Sequence, residues 1–223
     1  MNKIFNYEKD LVNTFKSTFF DSSSDILIDE MPIRWGNIDV VCITNNTLPF
    51  SKEQLLILSN PTNAKLFLKT KNNRPITEKS LIKNIGASEN TCKLSIRNLQ
   101  KVKLIYKKNN LYYRAVDFTF PKVVISGYEA KLTDYNKAFF QSLMNKKYVD
   151  LSYMVFPINI ANRILESHKE ILFNSGIGLI GTSPNFSITL LKAKKQNNVK
   201  NYLRLINLTQ CQISLIKNQV ALS

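Results

Sequence analysis

Histidine is nearly absent from this 223-residue chain, and cysteine, glycine and proline are scarce. His168 stands alone, so it has no second imidazole with which to build a metal site, and it is expected as an ordinary helix-surface residue. Cys42, Cys92 and Cys211 are odd in number, widely spaced and without a CxxC pair, which argues against a disulfide framework or a thiolate zinc site and leaves reduced, buried thiols. With 6 glycines and 7 prolines the chain has no collagen-like or low-complexity stretch. No run approaches about 18 apolar residues, and the first ten residues reach charge before a signal-peptide core can form. A cytoplasmic protein with no membrane partner is the expectation.

Acidic residues are also few, 16 against 31 Lys and Arg, for a net charge of +15. The imbalance is uneven. Basic residues number 4 against 7 acidic in residues 1–49, 14 against 3 in residues 50–115, and 13 against 6 in residues 116–223. A polyanionic partner accounts for such a concentration, although a lysine-rich vocabulary from an AT-rich genome competes with that reading.

Periodicity divides the chain in the same places. Leu11, Val12, Phe15 and Phe19 recur at helical spacing over about 7–20. Ile26–Ile28 and Ile38–Ile43 read as strands, the second almost continuously apolar except for Asp39. Helices are expected at about 51–58, 61–70, 77–85 and 88–102, with Thr77 and Ser88 as caps and Gly86 as a terminator, followed by a short strand pair around residues 107–110. Helix, tight turn, helix and hairpin in this order make a winged helix-turn-helix pattern. Strand and helix then alternate: a strand at 123–131, a helix at 135–147, a strand at 151–156, a helix at 159–174 and a strand at 177–182. One or two amphipathic pieces follow over 199–220. The expected fold is α/β, with a discontinuous domain of residues 1–49 and 116–223 interrupted by a mainly helical module of residues 50–115.

Three charged residues on or beside the predicted inner strands need an explanation, because a dry, unpaired charge costs several kcal/mol. They are Asp39, Glu129 and Lys131. A period of two puts Glu129 and Lys131 on one sheet face, so a carboxylate can hold a cation while the ammonium sits beside a phosphate. Lys131 can then orient or deprotonate a water, or stabilise charge developing on the phosphate. The blander readings are a solvent-facing edge-strand Asp39 and a surface ion pair between Glu129 and Lys131.

These residues resemble the PD-(D/E)XK, or restriction-endonuclease-like, nuclease superfamily. The elements that carry the resemblance are Gly36-Asn37-Ile38-Asp39 on one strand, Glu129-Ala130-Lys131 on another, and the following helix with Gln141. Tyr135 through Pro157 look like the corresponding part of the Mrr-like and MmcB-like nucleases. The chain departs from the pattern in carrying Ile38 where the family has Pro, and in the roughly 90 residues between Asp39 and Glu129, which an inserted domain explains. The resemblance implies a mixed sheet flanked by helices and a catalytic set of Asp39, Glu129, Lys131, Gln141 and Glu8. Of these, Asp39, Glu129 and Glu8 would hold Mg²⁺ or Mn²⁺. For Glu8 a plain helix-start carboxylate is the competing reading, and for Gln141 a solvated helix position.

In the winged-helix reading, residues 88–101 present Asn90, Thr91, Lys93, Arg97, Asn98 and Lys101 opposite Cys92, Ile96 and Leu99. Asn and Arg suit base edges, and Lys suits phosphate. Lys107, Lys108 and Asn109 at the wing tip would reach the backbone. The expected function is that of a metal-dependent DNA endonuclease whose DNA is positioned by the insertion, as a homodimer or in a larger nucleoprotein complex. Two alternatives stay open: a DNA-binding regulator on an inactive nuclease fold, and a subunit of a transposition or defence complex. A protein-contact role for the helical module is a further one.

Overall fold

The computed structural model describes residues 5–20, 25–33, 36–44, 48–196 and 199–221. In chain order its elements are α1 (Glu8–Phe19), β1 (Asp25–Ile33), β2 (Gly36–Thr44), α2 (Lys52–Leu58), α3 (Pro61–Lys69), β3 (Ile76–Thr77), α4 (Glu78–Ile82), α5 (Glu89–Lys101), β4 (Ile105–Lys108), β5 (Leu111–Arg114), β6 (Ile125–Ala130), α6 (Tyr135–Asn145), β7 (Leu151–Pro157), α7 (Ile158–Ser175), β8 (Gly178–Thr182), β9 (Ser187–Leu191) and α8 (Asn201–Ala221). This is a mixed α/β protein. It divides into two compact units, Met1–Asn45 with Val123–Val199, and Asn46–Lys122 with Lys200–Ser223.

The first unit is built on a six-stranded mixed sheet in the order β1-β2-β6-β7-β8-β9. β6, β7 and β8 are parallel, and the helices α6 and α7 make the crossovers that parallel neighbours require. The remaining pairs are antiparallel. Helices cover both faces. Leu11 and Phe15, one helical turn apart on α1, pack with Val40, Cys42, Tyr128, Ala130, Val155 and Ile180. On the other face Met154, Phe156 and Leu179 meet Ala138 of α6 and Ala161, Ile164 and Leu172 of α7. β7 sends alternate residues to opposite clusters, which is why it reads as a continuous apolar run. Gly178 sits opposite Tyr153, and a Cβ there would lie 2.2 Å from the tyrosine ring and 2.8 Å from the Ala193 backbone nitrogen.

Most expected boundaries fall within a residue or two of those observed. β1 is longer than expected and carries Pro32, tolerated because β1 is an edge strand. The short β3 and the strand β9 were not foreseen.

The second unit holds α2 to α5, α8 and a three-stranded antiparallel sheet in the order β3-β5-β4. Helices α2 to α5 start on side-chain caps: a capping box of Ser51 and Gln54 on α2, Asn60 before Pro61 on α3, Thr77 on α4 and Ser88 on α5. α4 ends at Ile82, short of the expected 85, and Lys69 Nζ donates to the carbonyls of Ser80 and Lys83 there. Asn109 and Asn110 both have positive φ, 49° and 60°, the two-residue turn that matches hairpin twist. The tail corrects the expected domain division. Instead of joining residues 1–49 and 116–199 it forms one long helix, α8, packed on α2 and α3 with Leu205, Ile206, Leu208 and Cys211 buried. Gln212 reinforces the contact by accepting from Leu48 N–H at 2.7 Å.

Candidate active site

The β2–β6 ladder runs from Ile43 opposite Ile125 to Val40 opposite Tyr128, and ends there. One residue further, the Asp39 side chain replaces a backbone partner: its Oδ2 accepts the Ala130 N–H at 2.9 Å. β6 stays bonded to β7 past this point, with Lys131 N–H donating to Val155 O at 3.1 Å. The two strands therefore fork at Asp39, and charged side chains converge at the fork. Lys131 Nζ lies 3.0 Å from Glu129 Oε1, 3.5 Å from Asp39 Oδ2 and 3.6 Å from Glu8 Oε2, and donates to Ala130 O at 2.8 Å. The Glu129 side chain is fully buried and that of Lys131 is 5% exposed, so the surface ion pair is ruled out as a description of these two residues.

Burial, then the nearby Asp39, push the Glu129 carboxyl from its ordinary 4.5 up to about 7, while Lys131 and Asn145 pull the other way. For Lys131 burial alone would lower the ammonium, but Asp39, Glu129 and Glu8 outweigh it and raise the pKa. Lys131 is thus held charged. That favours the role of a charge-stabilising donor over that of a proton acceptor.

The other expected residues are placed less centrally. Glu8, in the first turn of α1, is half exposed and, among the described residues, pairs with Lys131. Among the described residues no three His, Cys, Asp or Glu side chains are grouped so as to hold a metal ion. The expected ligand trio of Glu8, Asp39 and Glu129 is therefore not assembled as a cluster. Asp39 and Glu129 share Lys131, whereas Glu8 touches the same ammonium from another element. Gln141 makes no bond to the cluster, and among the described residues its buried Oε1 has no hydrogen-bond partner. The residue that does reach Glu129 from α6 is Asn145, whose Nδ2 lies 3.4 Å from Oε2. Sequence reasoning missed it, although it is one helical turn beyond Gln141.

Two cavities open beside the fork. One, of about 330 Å³, is lined by Glu8, Lys9, Val12, Asn13, Asp29, Glu30 and Asp39. The other, of about 340 Å³, is lined by Ile33, Asn37, Phe140, Gln141, Met144 and Asn145. His168, on α7, packs against Tyr135 at 4.1 Å between ring centres and lines neither cavity.

In the second unit α5 buries Cys92, Ser95, Ile96 and Leu99 and exposes Asn90, Thr91, Lys93, Arg97 and Lys101, with Asn98 half-buried. Two of these are already engaged: Lys93 pairs with Glu89 at 2.6 Å, and Thr91 Oγ1 lies 2.8 Å from Ser88 Oγ. Lys107, Lys108 and Asn109 are exposed. Counted by unit, the second holds 18 Lys and Arg against 4 Asp and Glu, and the first 13 against 12, so +14 of the +15 belongs to the second.

No family model and no curated protein matches this chain. Among solved structures it is similar to a protein of unknown function from Silicibacter pomeroyi, with 11% identity and a TM-score of 0.33 over 44% of this chain. The match spans 62% of that protein's length.

Proposed function

We propose that this protein is a metal-dependent DNA endonuclease, in which the first unit hydrolyses a phosphodiester and the second binds DNA. The observation that carries the reading is the convergence of Asp39 and Glu129 on Lys131 at the strand fork, across about 90 residues of chain. Their resemblance to the PD-(D/E)XK pattern adds to it. The helix order, capped α5 and hairpin of the second unit fit a winged helix-turn-helix, and its +14 charge suits a polyanion.

The residues present fit a divalent ion. Asp39 and Glu129 both lie against Lys131, Glu129 fully buried and Asp39 partly exposed, and burial with the nearby Asp39 raises the Glu129 carboxyl even beside that lysine. The neighbouring cavity has four carboxylates and one lysine, Lys9, in its lining, and with Lys16 paired to Asp29 it keeps a net negative charge that would repel a phosphate unless a further cation compensates. Asp39 and Glu129 would hold Mg²⁺ or Mn²⁺, with waters completing the shell. Such an ion, when bound, supplies charge neutralisation for the phosphate and acidity for a nearby water. The Lys131 ammonium donates to a phosphate oxygen as negative charge builds there during attack. Asn145 orients Glu129, and Asp39, through the Ala130 N–H, fixes the end of β6 from which Lys131 projects.

The test is incubation of supercoiled plasmid with the full chain and Mg²⁺ or Mn²⁺. Nicking or linearisation is expected, falling at least about 100-fold in Lys131→Ala and in Asp39→Ala, and absent in EDTA. DNA binding without cutting under either ion would replace this reading with that of a DNA-binding regulator. One observation favours that second reading: the carboxylates already have an internal cation in Lys131.

A further inference from the structure

The cavity on the α6 side of the fork has a different character from the acidic one. Among the described residues its lining combines an aromatic ring, two other apolar side chains and three amides. Two of the amides donate their nitrogens to carboxylates, Asn37 to Glu30 at 3.0 Å and Asn145 to Glu129 at 3.4 Å, leaving their oxygens to accept. Phe140 is 62% exposed, unusual for a phenylalanine on a helix whose neighbouring positions Phe139 and Ala138 are packed into the core. Asn145 directs its amide nitrogen to Glu129, which ties this cavity to the catalytic cluster by one side chain. Gln141 carries a buried oxygen with no hydrogen-bond partner among the described residues. At about 340 Å³ the volume lies within the range of small-ligand pockets, which start near 300 Å³.

An aromatic face beside amides is the equipment with which proteins take an unstacked nucleobase: the ring stacks on the base, and the amides pair with its polar edge. From this we infer that the α6-side cavity receives a single nucleobase of the DNA strand, stacked on Phe140 and bordered by Gln141, Asn145 and Asn37. The inference rests on the proposed nuclease reading and sharpens it, because a base inside a duplex cannot reach such a cavity without leaving the stack. The substrate class is therefore single-stranded or locally opened DNA. An exposed base in a free strand and a base flipped from a duplex share the same chemistry.

Oligonucleotides carrying one 2-aminopurine test this, with the full chain and Ca²⁺ in place of Mg²⁺ to hold the DNA uncut. The expected result is quenching of the fluorophore on binding a single strand, lost in Phe140→Ala, with affinity for that strand weakened roughly 5- to 150-fold. An abasic site at the same position is expected to weaken binding of the unmodified chain and to leave Phe140→Ala unaffected. A duplex arm separates the sources: quenching only in the single strand assigns a free strand, and quenching in both assigns flipping. Because Phe140 is exposed, its replacement leaves the core intact, and the thermal melting of the variant checks that. Equal quenching or equal affinity with and without the ring overturns the inference. Its failure is distinguishable from failure of the nuclease reading. Plasmid cutting that depends on Lys131 but not on Phe140 sinks the base pocket alone, whereas Phe140-dependent quenching without any cutting sinks the nuclease alone.

Discussion

Lys131 is the residue on which the fork depends, since its ammonium is the shared partner of Asp39, Glu129 and Glu8. Glu129 is the counterpart whose protonation reports on the arrangement. Its carboxyl is raised from 4.5 to about 7 by burial and by Asp39, so the folded protein binds a proton here more tightly than the unfolded chain does. The contribution to stability is therefore fully present below pH 4.5 and is lost as pH rises through about 7. Glu129→Gln removes this titration while keeping an amide of similar shape. In urea denaturation without divalent ions, the stability of the natural chain relative to Glu129→Gln is expected to fall between pH 4.5 and 7 and to level off above it. A difference that does not change with pH would mean that Glu129 is not buried beside Asp39.

At the scale of elements, the local code is strong where it is made of caps and turns. Ser88 accepts from Thr91 N–H at 3.2 Å and starts α5, so Ser88→Ala is expected to cost about 1 kcal/mol. Gly178→Ala is expected to cost more, about 1–3 kcal/mol or beyond, because the added methyl meets the Tyr153 ring and the Ala193 backbone between neighbouring strands. Chemical denaturation of both variants checks the order, and a Gly178→Ala variant as stable as the natural chain would contradict the β7–β8 packing. Elements such as these were legible because their signals lie within a few residues of one another. Thr77, Ser88, the Asn109-Asn110 turn and the apolar run of β7 ending at Pro157 could all be read directly. The strands β3 and β9 were not, since β3 is two residues long and β9 lacks a clean alternation. α4 ends earlier than its sequence pattern suggests, at Ile82, where Lys69 from α3 caps the carbonyls.

Across the whole molecule the charge divides almost completely, +14 against +1, once the tail is assigned to the second unit. DNA affinity is accordingly expected to fall by roughly 10³- to 10⁵-fold between 50 and 200 mM salt if 6–10 phosphates are contacted, with a slope of about −0.9 per contact. Fluorescence anisotropy with a labelled duplex measures that slope. Arg97→Ala combined with Lys101→Ala is expected to make it shallower by about 2, while Lys169→Ala on α7 of the first unit, away from both cavities, leaves it unchanged. A slope insensitive to Arg97 and Lys101 would remove α5 from the DNA-binding surface.

The sequence by itself determined the alternation of strands and helices, the caps Thr77 and Ser88, the hairpin turn, and the suspicion that Asp39, Glu129 and Lys131 share one task. Each of these rests on spacing along the chain or on the cost of stranding a charge in an apolar strand. Tertiary structure alone decided that the β2–β6 ladder ends at Val40, that Asp39 then binds the Ala130 backbone, and that Asn145 rather than Gln141 touches Glu129. It also decided where α8 buries its apolar stripe. An amphipathic pattern states that a face must leave water, but burial is non-directional, and any apolar surface of suitable shape can receive it.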